Sequence, residues 1–268
     1  MAITGEHAER AGDAALAIDC YGRAAAQAQQ RFANTLAIDC LQRALKLMAE
    51  GDAKPRLDLL NTLRGLADLT GNRALQHHAI DDTLTLLAKH PNPHALAELS
   101  MARAMLADGQ GRLDDGLTLA RDALAQAVAI GDNGVAAWAH GYLCERLGRR
   151  GEFDASRAHQ VAGQAHAERV RDTQPIRALQ LLAMAGVVAL QAEQLTEAGE
   201  LLNRALSRAE THTGSRVHRL QLGTLNALCI HAQCLGDWAA AADLIGRLAD
   251  QRRNMAATAG LTTSAAAS

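Results

Sequence analysis

Eleven histidines and several paired aspartates are the residues of this 268-residue chain that could do chemistry. His77-His78 precede Asp81-Asp82, and on a helix His78 and Asp82 would fall at i, i+4, which can set two metal ligands on one face. His90 and His94 have the same spacing across Pro-Asn-Pro, and His159 and His166 lie two turns apart. A metal centre needs three or four converging ligands, whereas each of these groups is a pair on a polar face, so the pattern predicts solvated helix surfaces and no metal site. Asp114-Asp115 stand near a helix start, where negative charge offsets the N-terminal dipole, and they are read that way in preference to a catalytic dyad. Neither HExxH nor a Gly-x-Ser-x-Gly elbow occurs. Cys20, Cys40, Cys144, Cys229 and Cys234 are odd in number and include no CxxC, so they are read as small buried residues in a reducing compartment. No catalytic residue, cofactor or enzyme activity is predicted.

What must position any functional residue is a repeat. Gly71, Gly111 and Gly151 are spaced by 40 residues, and Glu193 and Gly236 follow at steps of 42 and 43. Around each, a helix is followed by a tight turn, a residue that is usually small five positions later, and a second helix. The second helices carry apolar seams: Leu113, Leu117, Ala120, Leu124; Ala198, Leu201, Leu202, Ala205; Ala241, Leu244, Ile245, Leu248. A hairpin of this kind cannot bury both faces alone, so neighbours must stack. The predicted fold class is all-α, an α-solenoid of about six antiparallel hairpins over residues 1–253 winding as a right-handed superhelix, with the first hairpin incomplete. Residues 254–268 lose both charge and amphipathic pattern and are read as a disordered tail.

Composition agrees. Hydrophobic residues make up 49% but aromatics only 2%, so the core is Leu and Ala and helices can approach closely. A net charge of -2 offers no basic footprint for nucleic acid and no polybasic membrane patch. The apolar run from Ala178 to Leu190 is too short for a membrane span, and the first ten residues lack a signal core, so a cytoplasmic location is expected. Helices are predicted at 14–29, 33–49, 55–69, 73–89, 94–107, 112–130, 133–149, 152–171, 175–191, 195–211, 216–234 and 237–253, with Pro55, Pro93 and Pro175 near helix starts.

The N-terminal quarter contains a near-duplication, LAIDCYGRA at Leu16–Ala24 and LAIDCLQRA at Leu36–Ala44, a step of 20. Gly12-Asp13 occupies a mid-hairpin turn, yet only His7–Ala11 reads as remaining of the preceding helix. The seam Ala17, Tyr21, Ala24 is therefore expected to be an uncovered edge, ready for an upstream module or a second copy. Met1 is therefore expected to stand inside a repeat, either as the start of a truncated product or within the C-terminal part of something longer.

The spacing of Gly, a small residue at +5, a bulky one at +9 and Ala at +12, as in Gly12, Ala17, Tyr21, Ala24 and Gly111, Gly116, Ala120, Ala123, resembles the tetratricopeptide second helix. The long period resembles the variant in the maltose-regulon activator. His7, Ala11, Gly12, Ala17, Tyr21, Arg23, Ala24, Ala33, Asn34, Ala37, Leu41, Arg43, Ala44 and Leu45 resemble the segment that follows the nucleotide-binding module of large LuxR-type regulators and ATPase-coupled adenylate/guanylate cyclases. That resemblance implies a non-catalytic interaction or sensor segment of a signalling regulator, with a self-standing adaptor as the alternative and a helical-repeat enzyme as a remote one. The Walker motif, the cyclase carboxylates and a DNA-reading helix-turn-helix do not occur in this sequence, so the family's catalysis and DNA binding are not carried over.

In tetratricopeptide arrays the first helix of each hairpin lines a concave groove, with exposed positions about 13, 10, 6 and 2 residues before the turn. Here these positions give Glu98, Met101 and Met105; Trp138, Glu145 and Arg149; and Asn226. Trp138 with the two methionines would form an adaptable apolar patch flanked by Glu98, Glu145 and Arg149, suited to a partner helix or peptide. The alternative is that these apolar side chains pack between hairpins. Asn226 is followed by Ala227 and Ile230, which does not reproduce the Lys/Asn clamp that holds a chaperone's C-terminal carboxylate.

Overall fold

The 40-residue step has a simple origin in helix length. A computed structural model describes residues 1–49 and 51–265, with side chains left aside at 215, 216 and 254–265. Among the described residues there are thirteen helices and no strand: α1 Ala2–Arg10, α2 Ala14–Gln30, α3 Asn34–Leu47, α4 Ala53–Leu69, α5 Arg73–Lys89, α6 Pro93–Gly109, α7 Leu113–Ala129, α8 Asn133–Arg149, α9 Phe153–Arg169, α10 Pro175–Gln191, α11 Leu195–Ala209, α12 Ser215–Cys234 and α13 Trp238–Ala265. Helices α6 to α9 are each 17 residues, about 25 Å at 1.5 Å per residue. Two such helices with two three-residue turns make one step. The longer steps to Glu193 and Gly236 reflect longer connections before α10 and α12 and the 20-residue α12.

The turns at Gly12, Gly71, Gly111, Gly151 and Gly236 are closed by the same hydrogen bonds. After α8 the Glu152 N–H donates to Leu147 O at 3.0 Å and Gly151 N–H to Gly148 O at 2.9 Å, with Gly151 left-handed at φ 77°. This is the pairing that satisfies the last carbonyls of a helix. Glu193 does the same work without glycine, at φ 59°, with Gln194 N–H donating to Ala189 O at 2.8 Å.

The chain divides into two compact units, one built on Met1–Asn92 and the other on Pro93–Arg253. In the first, α1 corrects the expectation of an open N-terminal edge. It is a helix of nine residues that packs on α2, so Ala17, Tyr21 and Ala24 are all buried. Gly5 lies so close to the Tyr21 ring that a Cβ there would stand 2.9 Å from it. The Tyr21 hydroxyl donates to Glu9 Oε2 at 2.6 Å and accepts from Arg43 Nη1 at 3.2 Å, and Arg43 also bonds Glu6 Oε1 at 3.0 Å. Burial, with the Glu9 hydrogen bond next, raises the Tyr21 pKa.

The second unit is four hairpins in two layers, α6, α8, α10 and α12 side by side with α7, α9, α11 and α13 behind them. Its densest core surrounds α8, where Met101, Leu117, Ala120, Val135, Tyr142, Leu143 and Leu147 pack together. Five positions after the turn at Gly151, Ser156 lies where α8 and α9 touch: it is fully buried and donates to Cys144 O at 2.7 Å. The segment 254–268, read from sequence as a tail, falls on the end of α13 and beyond, where side chains and then residues 266–268 lie outside the described residues.

Candidate functional site

The groove positions read from sequence fall on α6, α8 and α12, which lie in one layer of the second unit. Their exposures differ sharply. Met101 is 0% exposed and Trp138 9%, and both belong to the core around α8. Met105 and Glu98 are half-buried, Glu145 is half-buried, and Arg149 and Asn226 are exposed. The structure thus sets Met101 and Trp138 between hairpins, with Glu98 and Glu145 half-buried and Arg149 exposed.

Trp138 is covered by a residue the sequence did not point to. The Arg177 guanidinium carbon lies 4.0 Å from the Trp138 ring centroid, and its Nη2 donates to Glu98 Oε1 at 3.0 Å. A delocalised cation on an aromatic face, held by a carboxylate, ties α6, α8 and α10 together. No local signal marks Arg177, because its acidic partner is 79 positions away.

A second charged group lies along the same helices. Arg146 Nη2 lies 2.6 Å from Asp108 Oδ2, and the guanidinium sits 5.2 Å from the Tyr142 ring centroid. Its Nη1 is 2.9 Å from Glu145 Oε1 but off a hydrogen-bonding direction, since neither Nη1 nor Nε makes a hydrogen bond. Burial disfavours the Arg146 charge, and Glu145 and Asp108 outweigh it. Burial also pushes the Tyr142 hydroxyl up to about 12, with the Asp108 charge adding to it. Arg149 donates to Glu145 at 2.6 Å.

Toward α12 the face opens. Gly223, Asn226, Ile230 and Cys234 are all exposed, Ile230 at 44%, although the same positions of α8 hold buried Trp138 and Gly141.

The histidines are distributed differently from the sequence pairs. His77, His78, Asp81 and Asp82 are exposed on α5, and His94 contacts the Asp132 carboxylate. His159 and His166 converge on buried His140: His140 Nδ1 is 2.9 Å from His159 Nδ1, and the His166 ring stacks on His140 with centroids 5.6 Å apart. His166 Nδ1 is 2.8 Å from Asn133 Oδ1. A 2.9 Å contact between two ring nitrogens requires one donor and one acceptor, hence at least one neutral ring. Burial first, then the other two imidazoles, lowers the His140 pKa to about 4. Among the described residues no group of three or more His, Cys, Asp or Glu is arranged to hold a metal ion.

Paired helices, left-handed turns and small residues at the contact define an all-helical repeat array of tetratricopeptide-like type. Its fold is similar to that of BtubC (BKLC) from P. vanneervenii, at 16% identity and a TM-score of 0.58 over 84% of this chain and 91% of that one. It is also similar to that of a Rap protein complexed with Competence and Sporulation Factor, at 13% identity and a TM-score of 0.67 over 95% and 74%. No family model and no curated protein matches the sequence.

Proposed function

We propose that the chain is a non-catalytic protein-interaction scaffold that holds a helix or peptide of a partner protein on the face formed by α6, α8, α10 and α12. The observation that carries this reading is exposed Ile230 beside exposed Asn226 on α12, whereas Met101 and Trp138 of α6 and α8 are buried. Ile230 supplies burial, Asn226 supplies directed hydrogen bonds, and Arg149 and Glu98 give charge at the other end of the face. The Rap protein whose fold is similar carries a bound factor, which supports a binding role for such an array. The test is a photo-crosslinking amino acid placed at 230 and 226 in the cell. Both positions are expected to capture the same protein, and Val161, exposed on α9 in the other layer, is expected to capture none. Equal capture from Val161, or none from 230, would overturn the reading.

The resemblance of residues 7–45 to the repeat segment of ATPase-containing LuxR-type regulators and ATPase-coupled cyclases favours placing this scaffold within a larger signal-transduction regulator in the cytoplasm. Among the described residues no helix is long and apolar enough to cross a membrane. An ATPase-like reading frame in phase upstream of Met1 is the expected finding; an unrelated frame with its own stop codon would favour the adaptor.

A further inference from the structure

The last hairpin carries a second apolar seam, distinct from the face above. Trp238, Ala242, Ile245, Ala249 and Arg252 follow one another on α13 at alternating steps of four and three, the spacing that keeps one stripe of a helix turned toward a partner helix. A different stripe, Ala241, Leu244 and Leu248, packs on α12. Trp238 is 70% exposed and Ile245 52%. The register shows what the exposed seam is shaped for. Ile245 stands nine residues after its turn at Gly236, and the residues nine after Gly111 and Glu193 are Ala120 and Leu202, both 0% exposed. Ala120 packs in one core with Val135 and Ala139 of α8, and Leu202 with Leu225 and Leu228 of α12, so each is covered by the first helix of the next hairpin. Ile245 holds the position on which a helix lies.

We propose that this helix is α13 of a second copy, running antiparallel about a two-fold axis at Ile245. On that axis Ile245 meets its counterpart, and Ala242 lies near the partner's Ala249, so the two backbones can approach closely. Trp238 lies opposite the partner's Arg252, which also reaches toward Asp237 of the first copy. Arginine over an aromatic ring is a contact already made among the described residues, at Tyr21, Tyr142 and Trp138. A parallel pair would instead set Arg252 against Arg252 in a desolvated seam, a like-charge contact that disfavours that arrangement. Charge therefore selects the antiparallel direction.

Light scattering on the full chain over a dilution series is expected to show a mass that rises to twice the monomer. Ile245→Asp and, independently, Arg252→Glu are expected to hold it at the monomer. Gly246→Glu, one step off the seam where an added Cβ meets open space, is expected to leave the dimer intact. Circular dichroism accompanies each variant, and since both seam residues are exposed their helical signal is expected to be unchanged. Direction is read in a Cys234→Ser background with a mild oxidant: Ile245→Cys is expected to form a disulfide between copies, and Trp238→Cys only when mixed with Arg252→Cys. A wild type that stays monomeric at every concentration, as it would if a following helix or another protein covered the seam, overturns the proposal. So does a mass unchanged by both seam variants, or Trp238→Cys crosslinking to itself.

Discussion

At the residue scale, His140 is the group whose ionisation the fold resists most clearly. Its pKa is lowered to about 4 by burial and by His159 and His166, and burial likewise lowers those of His159 and His166. Arg121 adds to the shift of His159, and Arg169 to that of His166. The unfolded chain binds a proton at His140 near pH 6.5, whereas the folded chain does not until about 4, so stability is full above 6.5 and falls as pH drops through that window. The loss from this one residue reaches about 3 kcal/mol at the bottom of the window. His140→Gln is expected to flatten the dependence of the melting midpoint on pH between 6.5 and 4.5; a slope equal to that of the wild type would refute the assignment. Close packing gives a second expectation. A Cβ on Gly186 would stand 2.7 Å from Leu202 Cγ and 3.2 Å from the Leu202 backbone nitrogen, whereas one on Gly246 meets nothing within 4 Å. Gly186→Leu is expected to cost about 1–3 kcal/mol through overpacking, and Gly246→Leu to be neutral or mildly stabilising, measured by urea denaturation. Equal losses would contradict the helix contact at Gly186.

At the element scale, the bridge from α6 through α8 to α10 rests on Glu98, Trp138 and Arg177. Removing Arg177 leaves Glu98 half-buried without that partner, so Arg177→Met and Glu98→Gln are expected to be non-additive, with a coupling of about 1 kcal/mol in a double-mutant cycle. Strict additivity would mean the bridge adds no stability. How far each element was legible follows from the same chemistry. The turns at Gly111 and Gly151 and the small residues at Gly116 and Ser156 are local demands of the backbone, one for a left-handed turn and one for close helix contact, so spacing alone reveals them. Helix α1 escaped because it packs through Gly5 and Ala8, side chains too small to give an apolar period. Arg177 escaped because a bridge to Glu98 is a property of stacked hairpins and leaves no trace in either segment. Trp138 and Met101 lie on first helices, but periodicity does not register that the next hairpin covers them.

At the scale of the whole molecule, burial is concentrated at α8, where thirteen of its 17 residues are buried. It thins toward α13, which presents Trp238, Ala242 and Ile245 to solvent. In the dilute monomer, an array stabilised by nearest neighbours opens first at the end that has one neighbour. Hydrogen exchange is expected to be slowest in the amides of α8 and fastest in α13, and uniform protection along the second unit would argue for one cooperative block. The chain has two tryptophans, and they sit at the extremes of this gradient: Trp138 sealed beneath Arg177, Trp238 standing free on the last hairpin. The protein therefore carries its own pair of optical reporters. In the dilute, monomeric chain iodide should quench the red-shifted emission of Trp238 and leave a bluer component from Trp138, so two signals resolve, without any label, whether a perturbation touches the sealed middle of the array or its last hairpin.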